Sequence, residues 1–233
     1  MYYNITIIVH IYSLLILLLV IAFIRKFKII QLLKIKYNIA PIFYDIAIFK
    51  KFNVLQNNYK IIANEVNNLL KNSISNNVRK KVYRYGSNEM NKYINSIKFT
   101  EKWLVSWNIN NDKPNFNWLN FPLIYNDIIL TKSAPFTTEL LKKIKGIRIA
   151  GFSWMLPKSI IYEHTDDCGL ITDSLALHLG LNVPNNCFLI VNNKKIEEKN
   201  GKCIIFDSNY KHSAYNYSDN NRLLLYIDFL KSY

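Results

Sequence analysis

Cysteine is scarce in this sequence and falls in no pattern. Cys168, Cys187 and Cys203 are odd in number and include no Cys-x-x-Cys pair. That excludes a disulfide framework and a zinc ribbon, and reads as free thiols in a reducing compartment. Acidic residues are also few, 16 against 30 Lys and Arg. The deficit is uneven: residues 1–150 hold 22 Lys and Arg against 7 Asp and Glu, whereas residues 151–233 hold 8 against 9. A basic half beside a nearly neutral half implies contact with something anionic. No glycine-rich RNA motif, zinc finger or helix-turn-helix spacing accompanies the charge, so nucleic acid is not expected and a membrane surface explains it better. No internal repeat is visible. Apolar residues are not lacking: half the chain is hydrophobic and 14% is aromatic, enough for a full core.

Charge is absent altogether from Ile5 to Ile24, a run of 20 residues. A helix of that length rises about 30 Å, the thickness of a bilayer's hydrocarbon core. A cleaved signal peptide is the rival reading, but it wants a basic start, a shorter apolar run and a small-residue cleavage site. The expectation is a single-pass membrane anchor over 5–24 and a basic juxtamembrane segment over 25–40. Arg25, Lys26, Lys28, Lys34 and Lys36 follow the span and no Lys or Arg precedes it. The positive-inside rule then places the following domain, 41–233, in the cytosol. The basic run either lies on anionic head groups or is a solvated stop-transfer flank.

A helical segment is expected over 41–100. Phe43, Ile46, Phe49, Phe52, Leu55, Tyr59, Ile62, Val66 and Leu69 recur every three or four residues, predicting a helix over 42–72. A second is expected over 79–97, then loops with short strands over 103–135. Pro135-Phe136-Thr137-Thr138-Glu139 reads as a helix start with a threonine cap, and Gly146 as that helix's end. From 146 to 233 the texture is β-rich. About seven short runs are separated by turn residues, with Asn200-Gly201 as a hairpin signal. The fold class is α+β, its β core a closed or double-sheet unit with a jelly roll preferred.

Three of the four histidines lie in this β unit. His164 and Asp166 are two apart, so a strand presents both on one face. His212 follows 48 positions later on another run. Two imidazoles and one carboxylate on one side of a metal are the expected set for a non-haem iron(II) oxygenase. Alone, His-x-Asp is common by chance. Arg222, 10 residues after His212, returns a guanidinium toward that point if the two runs are antiparallel neighbours, where it can bind a carboxylate through paired hydrogen bonds. Read by itself, it is a strand-end surface charge.

These residues resemble the aspartyl/asparaginyl β-hydroxylases and the related bacterial lipid A hydroxylases. The resemblance is carried by Ala134 through Leu141, Phe152-Ser153-Trp154-Met155-Leu156-Pro157, His164-Thr165-Asp166, His178-Leu179-Gly180-Leu181, Phe206-Asp207 and His212 through Arg222. A looser match takes in Leu55, Asn58, Ile61 and Glu65. The resemblance implies a double-stranded β-helix and an Fe(II)- and 2-oxoglutarate-dependent dioxygenase. Such an enzyme uses O2 to hydroxylate a peptidyl Asp or Asn or a lipid acyl chain, releasing succinate and CO2. By the same resemblance His164, Asp166 and His212 hold the metal. Arg222, assisted by Ser153 and with Met155 in the same pocket, takes the distal carboxylate of 2-oxoglutarate, and His178 the metal-proximal one. Two departures stand out. Asp166 is a carboxylate where vertebrate peptide hydroxylases have glycine, and Ala176 stands where the family usually has arginine. The second leaves room for a catalytically silent membrane-bound member that acts as a binding protein. A zinc hydrolase or isomerase on a similar barrel is a further alternative.

Overall fold

The structure is a computed structural model that describes residues 2–36, 40–76, 81–108, 112–166 and 173–232. It divides into two units, residues 1–40 and 41–233. The first is one helix, α1 (Tyr2–Lys36). Its side chains are described over 12–26 and at 29, 30 and 33, and all of them are exposed. The expected span of 5–24 falls inside this helix, with the side chains of 5–11 outside the described residues. Among the described residues no helix is long and apolar enough to cross a membrane.

The second unit runs β1 (Phe43–Tyr44), a 3-10 helix (Ile46–Phe52), α2 (Asn53–Asn57), α3 (Tyr59–Leu69), α4 (Asn88–Ile97), β2 (Leu104–Asn108), β3 (Lys113–Tyr125), β4 (Ile128–Ile129), α5 (Pro135–Lys142), β5 (Ile147–Met155), β6 (Ser159–His164), β7 (Ser174–Asn182), β8 (Cys187–Val191), β9 (Lys194–Glu197), β10 (Cys203–Phe206), β11 (His212–Asn216) and β12 (Arg222–Leu230). Two curled antiparallel sheets result. The larger has the order β1-β10-β7-β12-β5-β3-β2, with β4 on β3; the smaller is β6-β11-β8-β9. From β5 onward the chain alternates between the sheets except at the β8–β9 hairpin, a jelly-roll-like path.

The larger sheet has two distinct faces because side chains alternate along a strand. Leu223, Leu225, Ile227 and Phe229 of β12 and Leu175, Leu177 and Leu179 of β7 enter the main core. There they meet Phe52, Leu55, Ile62, Val66 and Leu69 from the helical segment. The other face carries Arg222, Tyr226 and His178, and these line a cavity.

Several sequence expectations are corrected. The apolar face over 46–69 is buried as its period required, but the single helix is broken. Asp45 caps the 3-10 turn by accepting from Ala47 N at 2.9 Å, and Asn58, between α2 and α3, turns its amide onto Val54 O at 2.7 Å. Short polar side chains bonding local backbone compete with helix continuation. Of the second helix expected over 79–97, residues 79 and 80 lie outside the described residues, and over 81–97 it is confined to Asn88–Ile97, begun by Ser87, whose hydroxyl accepts from Met90 N at 3.1 Å. The β unit does not start at 146, because β2 and the 13-residue β3 extend the large sheet. Pro122 is tolerated there beside a register shift between Pro122 and Ile124. Asn200-Gly201 makes no hairpin: the strands it joins belong to different sheets. Gly201, with φ +70°, is needed because a Cβ there would meet the Tyr59 ring at 2.9 Å.

The threonine cap of α5 is replaced by Glu65 of α3. Its carboxylate accepts from Phe136 N and Thr137 N, both at 2.8 Å, and from the Thr137 hydroxyl at 2.6 Å. Cys187 and Cys203 are free, and burial pushes their thiols up to about 11 and about 12, which leaves both unreactive at neutral pH. Cys168 lies outside the described residues.

Candidate metal centre

His164 ends β6 and His212 begins β11, and these two strands are paired so that His164 and His212 are cross-strand partners. Their rings lie with centroids 4.3 Å apart. Each ring is oriented by the backbone two residues earlier: His164 Nδ1 is 2.7 Å from Tyr162 O and His212 Nδ1 is 3.0 Å from Tyr210 O. A carbonyl only accepts, so Nδ1 carries the proton and the Nε2 lone pair of each ring is left for a metal. Both Nε2 atoms face Asp166 Oδ1, at 3.8 Å from His164 and 3.6 Å from His212. The three donor atoms lie within 4.8 Å of one another. Asp166 Oδ2 accepts from the Tyr226 hydroxyl at 3.0 Å.

The donor set fits a divalent transition metal: two neutral imidazole nitrogens, one carboxylate and a hydrogen-bond partner behind each. The electrostatics of His164 and Asp166 point the same way. Burial, followed by the neighbouring His212 ring, pushes the His164 pKa down to about 4, so this imidazole is neutral at pH 7. Burial alone would raise the Asp166 pKa, but hydrogen bonding and charge from His212 hold it well below the usual carboxylate range. His212 shows the converse, burial outweighed by its bond to Asp166, with its pKa raised. Burial and the Asp166 charge push the Tyr226 hydroxyl well above 10, which keeps it a donor.

Ser153, His178 and Arg222 line the same cavity, of about 270 Å³; Met155 does not, and instead lies against Arg222. Ser153 on β5 accepts from Trp118 Nε1 at 3.0 Å. Arg222 is fully buried, and its Nη1 lies 3.2 Å from the Met155 sulfur. Its other edge is already occupied. Nε donates to Glu198 Oε2 at 2.5 Å, and Nη2 donates to Glu198 Oε1. His178 Nδ1 shares that carboxylate, 2.9 Å from Oε1. The strand-end surface charge is therefore excluded for Arg222, and Glu198 is a residue that the sequence reading missed. It sits in the Lys-rich run Lys194–Lys202, which reads as solvated. The available signal was its place two residues after the half-buried Ile196, just past the end of β9. Tyr226 was missed as well, although it is four residues from Arg222 and so on the same strand face.

Asp207, one of the residues that carry the resemblance, is structural. Its Oδ1 accepts from the backbone and side-chain amides of Asn209, at 3.1 and 2.7 Å, and Lys231 pairs with Oδ2 at 3.1 Å. Asp173 is exposed. Away from the metal end, the cavity is apolar. It runs over Gly151 and Pro122 to Ile149, Ile94, Ile97 and Leu130.

Comparison with known proteins places the chain in a family. Residues 56–232 match the family model of aspartyl/asparaginyl beta-hydroxylase. An uncharacterized protein of Acanthamoeba polyphaga mimivirus is 26% identical over 78% of this chain and 66% of its own length. The ornithine lipid ester-linked acyl 2-hydroxylase of Rhizobium tropici is 36% identical over 43% of this chain and 36% of its own. The chain thus spans two thirds or less of the length of these relatives. Among solved structures, a 2OG-Fe(II) oxygenase family oxidoreductase of Burkholderia pseudomallei aligns at TM-score 0.42 with 13% identity, covering 66% of this chain and 95% of that one. With a family model spanning most of its length, the chain belongs to the aspartyl/asparaginyl beta-hydroxylase family.

Proposed function

We propose that this protein is an Fe(II)- and 2-oxoglutarate-dependent hydroxylase that acts on the acyl chain of a lipid, with residues 5–24 attaching it to a membrane. The observation that carries the reading is the convergence of His164, Asp166 and His212 at one end of an apolar cavity. When bound, Fe(II) supplies the activation of O2, driven by decarboxylation of the 2-oxo acid to succinate and CO2. The protein's own residues hold and orient. The Tyr162 and Tyr210 carbonyls fix the two ring tautomers, and Tyr226 fixes the Asp166 carboxylate. Ser153, His178 and Arg222 are the polar groups able to receive the carboxylates of the co-substrate, with Met155 packed against Arg222. The apolar end, lined by Ile94, Ile97, Leu130 and Ile149, excludes water and suits an acyl chain better than a peptidyl Asp or Asn. The uncharged run and its exposed Leu14–Ile24 side chains support attachment to a bilayer, with the domain on the cytosolic side.

The test uses the full chain in detergent or vesicles. Fe(II)-dependent succinate release from 2-oxoglutarate is expected, with the gain of one oxygen atom in a lipid fraction by mass spectrometry. His212→Ala should abolish both. Succinate release that persists in the variant would remove the ligand assignment, and oxygen gained only by peptides would move the substrate to Asp or Asn side chains. A second reading, the silent binding protein, draws on Ala176 and on the pairing of Arg222 with Glu198. It requires metal binding with no succinate release.

A further inference from the structure

Arg222 is the buried cation expected to receive the far end of the co-substrate, yet its charge is already matched. Glu198 is 3% exposed and grips the guanidinium through Nε and Nη2, while His178 holds the same carboxylate. Two elements fix Glu198 in that place. Its own backbone N donates to Cys187 O at 3.1 Å. The loop that follows is pressed against β7, where a Cβ at Gly180 would lie 2.2 Å from Lys199 O. Glu198 is thus built into the sheet crossover. The edge of Arg222 left to a ligand is Nη1, which among the described residues faces only the weak acceptor sulfur of Met155. Position 176, beside His178 on the same strand face, is alanine and adds no second cation.

On the reading of the site as a 2-oxo acid pocket, we propose that Glu198 sets co-substrate choice. It neutralises Arg222, so a distal carboxylate gains little over an uncharged tail, and the protein takes neutral-tailed 2-oxo acids about as readily as 2-oxoglutarate. The physical reason is that a second carboxylate on one buried guanidinium leaves a net negative charge in a low-dielectric site. An uncharged tail meets no such penalty and packs against Met155 and Trp118. Glu198 acts here through Arg222, as a positioning and selectivity residue.

The experiment is calorimetric titration of full-length, Mn(II)-loaded protein, which is inert to turnover, with 2-oxoglutarate and with 2-oxopentanoate. The wild type should bind the two within about tenfold of each other. Glu198→Gln keeps the shape but removes the charge. It should tighten 2-oxoglutarate by roughly tenfold or more, the worth of a charge-assisted hydrogen bond, and leave 2-oxopentanoate unchanged. Mn(II)-dependent binding with no such divergence overturns the role of Glu198 alone. If neither acid binds either protein, the 2-oxo acid reading falls and this inference with it. Should Glu198→Gln fail to fold, the wild type decides: a preference of about 100-fold or more for 2-oxoglutarate overturns the proposal.

Discussion

Strand β12 carries a buried arginine–carboxylate pair at each end, and the two differ in what surrounds them. At its far end, Asp228 is held by Arg148, with Nε donating to Oδ1 at 2.9 Å and Nη2 to Oδ2 at 2.5 Å. Arg148 also donates to Ser174 Oγ at 3.1 Å and lies 4.3 Å from the Tyr85 ring centroid, so protein groups engage it on several sides. At the near end, Arg222 pairs with Glu198 equally tightly, but among the described residues its third nitrogen meets only a thioether, and Arg222 lines the cavity where His164, Asp166 and His212 converge. A buried ion pair is weak testimony to stability, since desolvation offsets most of its attraction. The comparison therefore assigns the Arg148 pair to fixing the bulged end of the sheet, and the Arg222 pair to the site.

The largest effect expected lies outside both pairs and calibrates them. His212→Ala should lower metal affinity on the order of 100-fold or more, measured by equilibrium dialysis, because losing even a partner behind a ligand costs 10–100-fold. Arg148→Met should come next: about 3–5 kcal/mol of folding stability in denaturant titration, since Asp228 is left buried without its cation. The protein that remains folded should bind Mn(II) and 2-oxo acids as the wild type does. Arg222→Met should cost a similar amount and also alter 2-oxo acid binding. If the two variants behave alike toward ligand, the distinction between the ends of β12 collapses.

A pH series sharpens the comparison with a smaller effect. Burial by itself would raise the Glu198 pKa, but the Arg222 charge and the His178 hydrogen bond hold it at about 2, below its usual 4.5. A carboxylate depressed on folding stabilises above its unfolded pKa, and that contribution is lost as pH falls through the folded value. The stability difference between wild type and Glu198→Gln should be constant above about pH 5 and shrink between 4.5 and 2. A difference independent of pH would mean that Glu198 is not ionised in the fold.

What could be read in advance divides along local and non-local lines. His164 and Asp166 were legible because a two-residue spacing on a strand is a local fact, and His212 because its own strand is short and well bounded. The β runs after 146 were legible by their branched, apolar texture. β3 was not, since its Asn and Pro residues imitate a loop and only pairing with β2 and β5 makes it a strand. Glu65 could not be recognised as the cap of α5, 71 residues away. Glu198 was hidden for the same reason: a Lys-rich neighbourhood predicts solvent, and the crossover from β9 to β10 buries it.

The smallest effects expected come from the neutral neighbours of the two arginines. Ser174→Ala removes one hydrogen bond to Arg148 and should cost about 0.5–1.5 kcal/mol in stability, with no change in ligand affinity. Met155→Leu conserves volume beside Arg222 and should cost less than about 1.5 kcal/mol. Its consequence lies in binding, because the sulfur is the acceptor on the Nη1 edge where a co-substrate would dock. A leucine there leaves Nη1–H without an acceptor until a ligand supplies one, so 2-oxoglutarate should bind somewhat tighter relative to 2-oxopentanoate, by about threefold at 25 °C. That is the 0.6 kcal/mol scale of a weak hydrogen bond. Paired titrations of both variants would reveal it. A shift in Ser174→Ala but not in Met155→Leu would place the ligand at the wrong end of β12.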